Sequence, residues 1–215
     1  MNKEQLKPVT LPPGTPLLMQ GQTFPFNGDG YAAAEVLRLK AKHGIVNVFE
    51  TGTCLGVTTT WFAANFGSVI TCELSQRFAG YASHILRECP NVLLCVGDSP
   101  EWVKNEVPTG PTLYFLDAHG ISGKGEAVCP LLDELDAIAQ AGIRPVIMIH
   151  DWQVPDRPDL GHDYFPDGRP FALEHITTAL DLIYGREGWD YHYNDEAEGA
   201  RRGILYVEPK ASTPA

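Results

Sequence analysis

Five short apolar runs recur between residues 45 and 152, separated by amphipathic stretches, and this alternation limits the chain to very few folds. The runs are IVNVFETG (45–52), SVITCELS (68–75), NVLLCVGDS (91–99), TLYFLDAHG (112–120) and RPVIMIHDW (144–152). Their length and β-branched, aromatic content predict strands. Helical spacing appears in YAAAEVLRLKAK (31–42), VTTTWFAANF (57–66), RFAGYASHILREC (77–89), EWVKNEV (101–107) and PLLDELDAIAQAG (130–142). Strands joined through helices must run parallel, with both faces of their sheet covered. The expected fold class is therefore α/β, with a single domain spanning residues 1–215.

The flanks read differently. Residues 1–27 are rich in proline and glycine and predict an irregular arm. Residues 152–170 contain Pro155, Pro158, Pro166 and Pro170 without apolar periodicity, which predicts a long loop of lid type. Its Trp152, Tyr164 and Phe165 are expected to cover a bound molecule, with His162 and Asp163 beside them, while PFNGDG (25–30) is expected to close the other side. FALEHITTALDLIYG (171–185) predicts a helix, and WDYHYND (189–195) with RRGILYVEP (201–209) an antiparallel hairpin at the sheet edge. The tail from 210 to 215 is expected to fray.

In an open parallel sheet, ligands bind at the carboxyl ends of the strands. Those ends carry Glu50, Thr51 and Gly52, then Glu73, then Asp98 and Ser99, then Asp117 and His119, then His150 and Asp151. A single acid after a strand serves as a helix cap. Five in succession point to one acidic crevice. FETGTCLG (49–56) supplies glycines at 52 and 56 for a turn of positive φ or a close backbone approach. Glu73 follows Gly52 by about 20 residues, the interval at which an acid reaches ribose hydroxyls in dinucleotide-binding folds. The GxGxxG fingerprint is absent, because its second glycine would fall at Cys54. Thr53 and Cys54 close the phosphate seat, and Glu50 would repel a pyrophosphate. A cationic ligand carrying adenosine without phosphate suits the place better.

Composition adds exclusions. A net charge of −11 without a basic cluster argues against a nucleic-acid partner and for a small-molecule substrate. No run approaches the roughly 18 apolar residues of a membrane span, and MNKEQLKPVTLPPG lacks the apolar core of a secretory signal, so a cytoplasmic location is expected. Five cysteines without CxxC spacing read as reduced thiols.

The ordered set ETGTCLG, CELS, VGDS, YFLDAHG and VIMIHDW resembles the motifs of class I S-adenosylmethionine-dependent methyltransferases, in the catechol and sugar O-methyltransferase-like branch. The resemblance runs from about Tyr31 to Pro209. It implies a Rossmann-like, doubly wound sheet of seven strands, mostly parallel, with an antiparallel C-terminal hairpin strand. It also implies S-adenosyl-L-methionine as cofactor, with Glu50, Gly52, Thr53 and Gly56 along the methionine portion, Glu73 and Leu74 at the ribose, Asp98 and Ser99 flanking the adenine, and Asp117 nearby. The implied reaction is O-methylation of a small hydroxylated molecule, such as a sugar or a secondary metabolite.

Metal-dependent relatives carry an aspartate after the fourth strand and an Asp-Asp or Asp-Asn pair after the fifth. Here Asp117, His150 and Asp151 are the corresponding ligands, and the imidazole tilts preference toward manganese, iron or zinc. The lysine base of the catechol type would fall at Gly120. His119 is the nearest substitute, with Asp117 or Asp151 orienting its ring, and His119, Asp117, Asp151 and His150 form the catalytic set. A nicotinamide-dependent oxidoreductase and a metal-dependent hydrolase are the competing readings; oligomeric state has no signature.

Overall fold

The computed structural model describes residues 2–121 and 127–210. The expected strands become β1 (Asn47–Thr51), β2 (Ser68–Glu73), β3 (Val92–Val96), β4 (Thr112–Leu116) and β5 (Val146–His150). The edge hairpin becomes β6 (Trp189–Tyr193) and β7 (Ile204–Pro209). They form one seven-stranded sheet in the order β3-β2-β1-β4-β5-β7-β6. The first five strands are parallel, and β7 runs antiparallel to both β5 and β6. This is the Rossmann-like arrangement expected, and its strand order reverses at β1, where β4 crosses to the other side.

Period-two alternation decides which residues face which layer. Val48, Leu113, Phe115, Val146 and Met148 pack with Phe62 of α2 (Val57–Asn65) and with Ala33, Val36 and Leu39 of α1 (Gly30–His43). Their neighbours Phe49, Tyr114, Leu116, Ile147 and Ile149 pack on the opposite face. There they meet Val103 of α4 (Ser99–Asn105), Leu135 and Ile138 of α5 (Leu131–Gln140), and Leu180 of α6 (Thr177–Tyr184). Helix α3 (Gln76–Leu86) buries Ala79, Ala82 and Leu86, and Ser75 caps it at Phe78 N–H. Asp29 caps α1 through the Tyr31 and Ala32 amides, satisfying donors that the first turn leaves free.

Three expectations needed correction. The helix over 171–185 splits into a 3-10 turn at Leu173–His175 and α6. The reason is tertiary: Phe171 N–H donates to Asp163 O and Gln153 N–H to Phe171 O, so 171 and 172 are drawn into the preceding loop as extended chain. The fourth strand leaves the main sheet at Leu116, and Gly120–Ile121 pairs with Ala127–Val128 in a separate two-residue ladder. The glycine-rich segment between them falls at 122–126, outside the described residues, as does the tail from 211. In the loop, Trp152 and Phe165 are buried in the core, leaving Tyr164 as its exposed aromatic.

Phe49 sits at the middle of β1, fully buried and stacked on Tyr114 with ring centroids 5.1 Å apart. Its replacement by alanine opens a cavity between β1, β4 and α5. Phe49→Ala is expected to cost about 3–5 kcal/mol in urea denaturation followed by circular dichroism.

Candidate functional site

The carboxyl ends of β1, β2, β4 and β5 open onto three adjoining cavities. The largest, ≈ 590 Å³, is lined by Glu73, Leu74, Phe78, Asp98, Ser99 and Pro130, and reaches Gly52, Asp117 and His119. A second, ≈ 230 Å³, contains Glu50, Thr53, Phe26, Asn27 and Phe115, and shares Gly52, Cys54, Asp117 and His119 with the first. A third, ≈ 410 Å³, lies beyond it between the N-terminal arm (Gln22, Phe24, Asn27) and Asp151, Ala200 and Arg202. PFNGDG thus contributes a wall, as expected.

The turn after β1 is shaped by Gly52. At φ +82° its amide and that of Thr53 donate to Cys72 O, and a Cβ on Gly52 would lie 2.3 Å from Asp117 O. Only glycine lets the β1 and β4 ends approach this closely. Gly56 has a different task. It faces Leu86 and Ala82 of α3 and is not among the residues lining the first two cavities, so its part is helix packing.

Each acid is accommodated in its own way. Glu73 accepts from the Cys54 and Ser75 amides, one per oxygen at 2.8 Å each, which leaves each oxygen a second lone pair. Burial raises its pKa, and those amides oppose the rise. Glu50 is wholly buried and accepts from the Thr59 and Thr71 hydroxyls. Burial outweighs those bonds and pushes it up to about 8. Ser99 gives its hydroxyl to Glu134, whose burial raises it to about 7. Glu134 was not anticipated, although its place in the 131, 134, 135, 138 stripe of an apolar helix face was a signal.

At the other end, His119 Nε2 lies 3.0 Å from Asp151 Oδ2, 3.7 Å from Asp117 and 3.8 Å from Asp163. Phe171 packs edge-on against the ring at 4.8 Å. Burial disfavours the imidazolium, but the bond to Asp151 and the charges of Asp117 and Asp151 together raise its pKa. His150 is buried below them, its Nδ1 at 3.2 Å from Asp151 and 3.4 Å from Asp117 without hydrogen-bond alignment to either. It lines none of the three cavities, so its influence is electrostatic.

Sequence reasoning missed Arg202. It was assigned to the last strand, but it belongs to the turn before β7. There its Nε donates to Asp151 Oδ1 and its Nη2 to Asp163 Oδ1. Asp151, with φ +60°, therefore has both oxygens engaged, and His150, His119 and Arg202 together overcome burial to hold it well below the usual carboxylate range. Asp117, His119 and Asp151 bring one donor atom each within 4.8 Å of one another; His150, expected as a ligand, is outside that set. A divalent ion on Asp151 would meet the Arg202 guanidinium at close range, and that like charge makes the donor set a poor fit for one.

The lining suits a different kind of ligand from a pyrophosphate. Neither of the first two cavities includes a lysine or arginine, and four carboxylates, Glu50, Glu73, Asp98 and Asp117, line them. A cationic nucleoside fits that field, and a dinucleotide does not.

Solved structures with the same architecture bear on this. O-methyltransferase TomG from Streptomyces achromogenes, solved with S-adenosylmethionine, is 16% identical with a TM-score of 0.57, over 85% of this chain and 81% of that one. A putative caffeoyl-CoA O-methyltransferase from Staphylococcus aureus is 14% identical with a TM-score of 0.56, over 83% of each chain. CalS10, an amino pentose methyltransferase from Micromonospora echinaspora, is 18% identical with a TM-score of 0.53, over 85% and 93%. The fold is that of these methyltransferases. No protein-family model matches the chain, and no curated protein does. No described helix is long and apolar enough to cross a membrane.

Unfolded Glu50 titrates near 4.5 and folded Glu50 near 8, so between those values the unfolded chain binds fewer protons. Stability from this group falls as pH rises from about 4.5 to about 8. Glu50→Gln is expected to flatten that part of the stability profile, measured by urea denaturation across the range.

Proposed function

We propose that this protein is an S-adenosylmethionine-dependent O-methyltransferase acting on a small, polar hydroxylated acceptor. The observation that carries this reading is the continuity of the three cavities: an acidic nucleoside-sized cleft opens, past Gly52, Asp117 and His119, toward a polar chamber bounded by the N-terminal arm. Glu73 accepts the ribose hydroxyls, Leu74 and Phe78 cover the base, and Asp98 and Ser99 flank it. Glu50, Gly52 and Thr53 border the methionine portion. Bound there, S-adenosylmethionine supplies an electrophilic methyl whose carbon–sulfur bond breaks as the acceptor oxygen bonds to carbon, the electron pair staying on sulfur.

His119 takes the acceptor hydroxyl's proton. With Nε2–H donated to Asp151, the lone pair of the neutral ring is on Nδ1, and the imidazolium formed is stabilised by Asp117 and Asp151. In this chamber Gln22 and Asn27 offer donors and acceptors, the Asp151–Arg202 pair lines the wall, and one exposed aromatic, Phe24, stands beside them. That lining favours a polyhydroxylated acceptor, such as a sugar, over a flat apolar one. The nicotinamide alternative lacks a phosphate seat, and the hydrolase alternative would need Asp151 free of Arg202.

Calorimetry with S-adenosylmethionine is the direct test, and absence of binding at millimolar ligand would sink the reading. Glu73→Ala is expected to weaken cofactor affinity by at least about tenfold, through loss of a charge-assisted bond worth about 1.5–3 kcal/mol. His119→Ala should leave that affinity within about twofold and lower turnover by about 10²–10⁴-fold. Because the base must be neutral and its pKa is raised, kcat should fall with acid through a midpoint above 6.5. A flat profile there would remove His119 from the role.

A further inference from the structure

We propose that Arg202 is the resident cation of this site, standing where an aspartate set of this kind would otherwise hold a divalent ion, and that the reaction here needs no metal. The inference rests on the methyltransferase reading for its catalytic meaning, but its physical basis is separate.

Asp117, Asp151 and Asp163 crowd around His119 Nε2, an excess of negative charge that requires a counter-charge. Arg202 meets that need with its planar fork, which bridges two carboxylates: Nε donates to Asp151 and Nη2 to Asp163, two directed bonds that a point charge would not fix. Its side chain is 27% exposed, so water screens the pairs only partly.

The backbone around it is shaped to this placement. Gly161 N–H donates to Arg201 O and Gly203 N–H to Gly161 O, pinning the turn to the 152–170 loop. A Cβ on Gly161 would lie 2.8 Å from Arg202 Nη1, and one on Gly203 would lie 2.0 Å from Trp152 O. Gly203 must be small for the turn to lie against the Trp152 backbone, and Gly161 leaves room for the guanidinium as it passes.

Held from one side by Arg202, Asp151 presents its other oxygen to His119. That fixes the ring, and an ion on the remaining lone pair of either Asp151 oxygen would crowd the guanidinium or the imidazole. A divalent ion beside the guanidinium would also meet a like charge at close range. Arg202 is thus a positioning residue: it acts on the acceptor proton through Asp151 and His119.

The test is Mn²⁺ binding, followed by electron paramagnetic resonance and calorimetry on the intact protein, alongside turnover after exhaustive dialysis against EDTA. The wild type should bind no Mn²⁺ at millimolar concentrations and lose no activity to EDTA. Arg202→Met should gain an Mn²⁺ site that a further Asp151→Asn change removes. Its turnover should drop by about 10²-fold with S-adenosylmethionine affinity unchanged, and Arg202→Lys should recover part of that loss.

The proposal is overturned if wild-type activity is stripped by EDTA and restored by Mn²⁺, if the wild type itself binds Mn²⁺ at Asp151, or if folded Arg202→Met turns over normally. Should Arg202→Met fail to fold, the wild-type arms and Arg202→Lys decide. Lack of S-adenosylmethionine binding would sink the methyltransferase reading alone, because the Mn²⁺ measurements do not depend on it.

Discussion

A parallel sheet whose strands all end in acids must keep several carboxylates together at one edge, and the architecture of the site follows from how that repulsion is relieved. At ordinary distances two like charges in a partly buried setting repel by several kcal/mol. Three of the carboxylates are relieved by three different means. Glu50 is enclosed among threonine hydroxyls and driven toward its neutral form. Glu73 draws on backbone amides from the turn after β1 and from the entrance to α3. Asp151 is flanked by two imidazoles and a guanidinium. These solutions divide the crevice into an acidic half around Glu73 and Asp98 and a half in which Asp151 is paired with His119 and Arg202.

The division depends on segments distant in sequence. Asp151 and Arg202 are 51 residues apart, and they meet because β5 and β7 pair antiparallel, with His150 opposite Ile204. That register places the turn before β7 beside the strand end of β5. The 152–170 loop is then threaded between them, bonded at Trp152 and Gly161 to the turn and at Asp163 to Phe171. Burial of Trp152, Leu160 and Phe165 anchors it, and the cost of ordering so long a loop is offset by that apolar contact. The same threading ends the helical pattern of 171–185 early.

Much of the cleft around Glu73 was legible in advance because its determinants are local. A strand, a glycine turn and an acid about 20 residues on are features of spacing, and Glu73, Asp98, Ser99 and Gly52 all line the cleft as their positions suggested. Gly56 belonged to the same motif but serves helix packing, which spacing alone does not separate from ligand contact. The half around His119 was only partly legible. His119 was recognisable as a strand-end residue with Asp117 or Asp151 to orient it, yet nothing local showed that Asp151 is the partner, that His150 is sealed beneath them, or that Arg202 completes the group. Glu134 was visible as a carboxylate on an apolar stripe, but its partner Ser99 lies 35 residues away.

By itself the sequence determined the alternation of strands and helices, the parallel sheet, the acidic strand ends and the unsuitability of the first turn for phosphate, because all of these follow from periodicity and from the chemistry of neighbouring residues. Only the tertiary structure decided which of those acids remain available. The charge state and the donors around each carboxylate depend on burial and on side chains brought in by strand register and loop threading. An arginine in a turn and an aspartate at a strand end carry no mark of each other until the sheet is assembled.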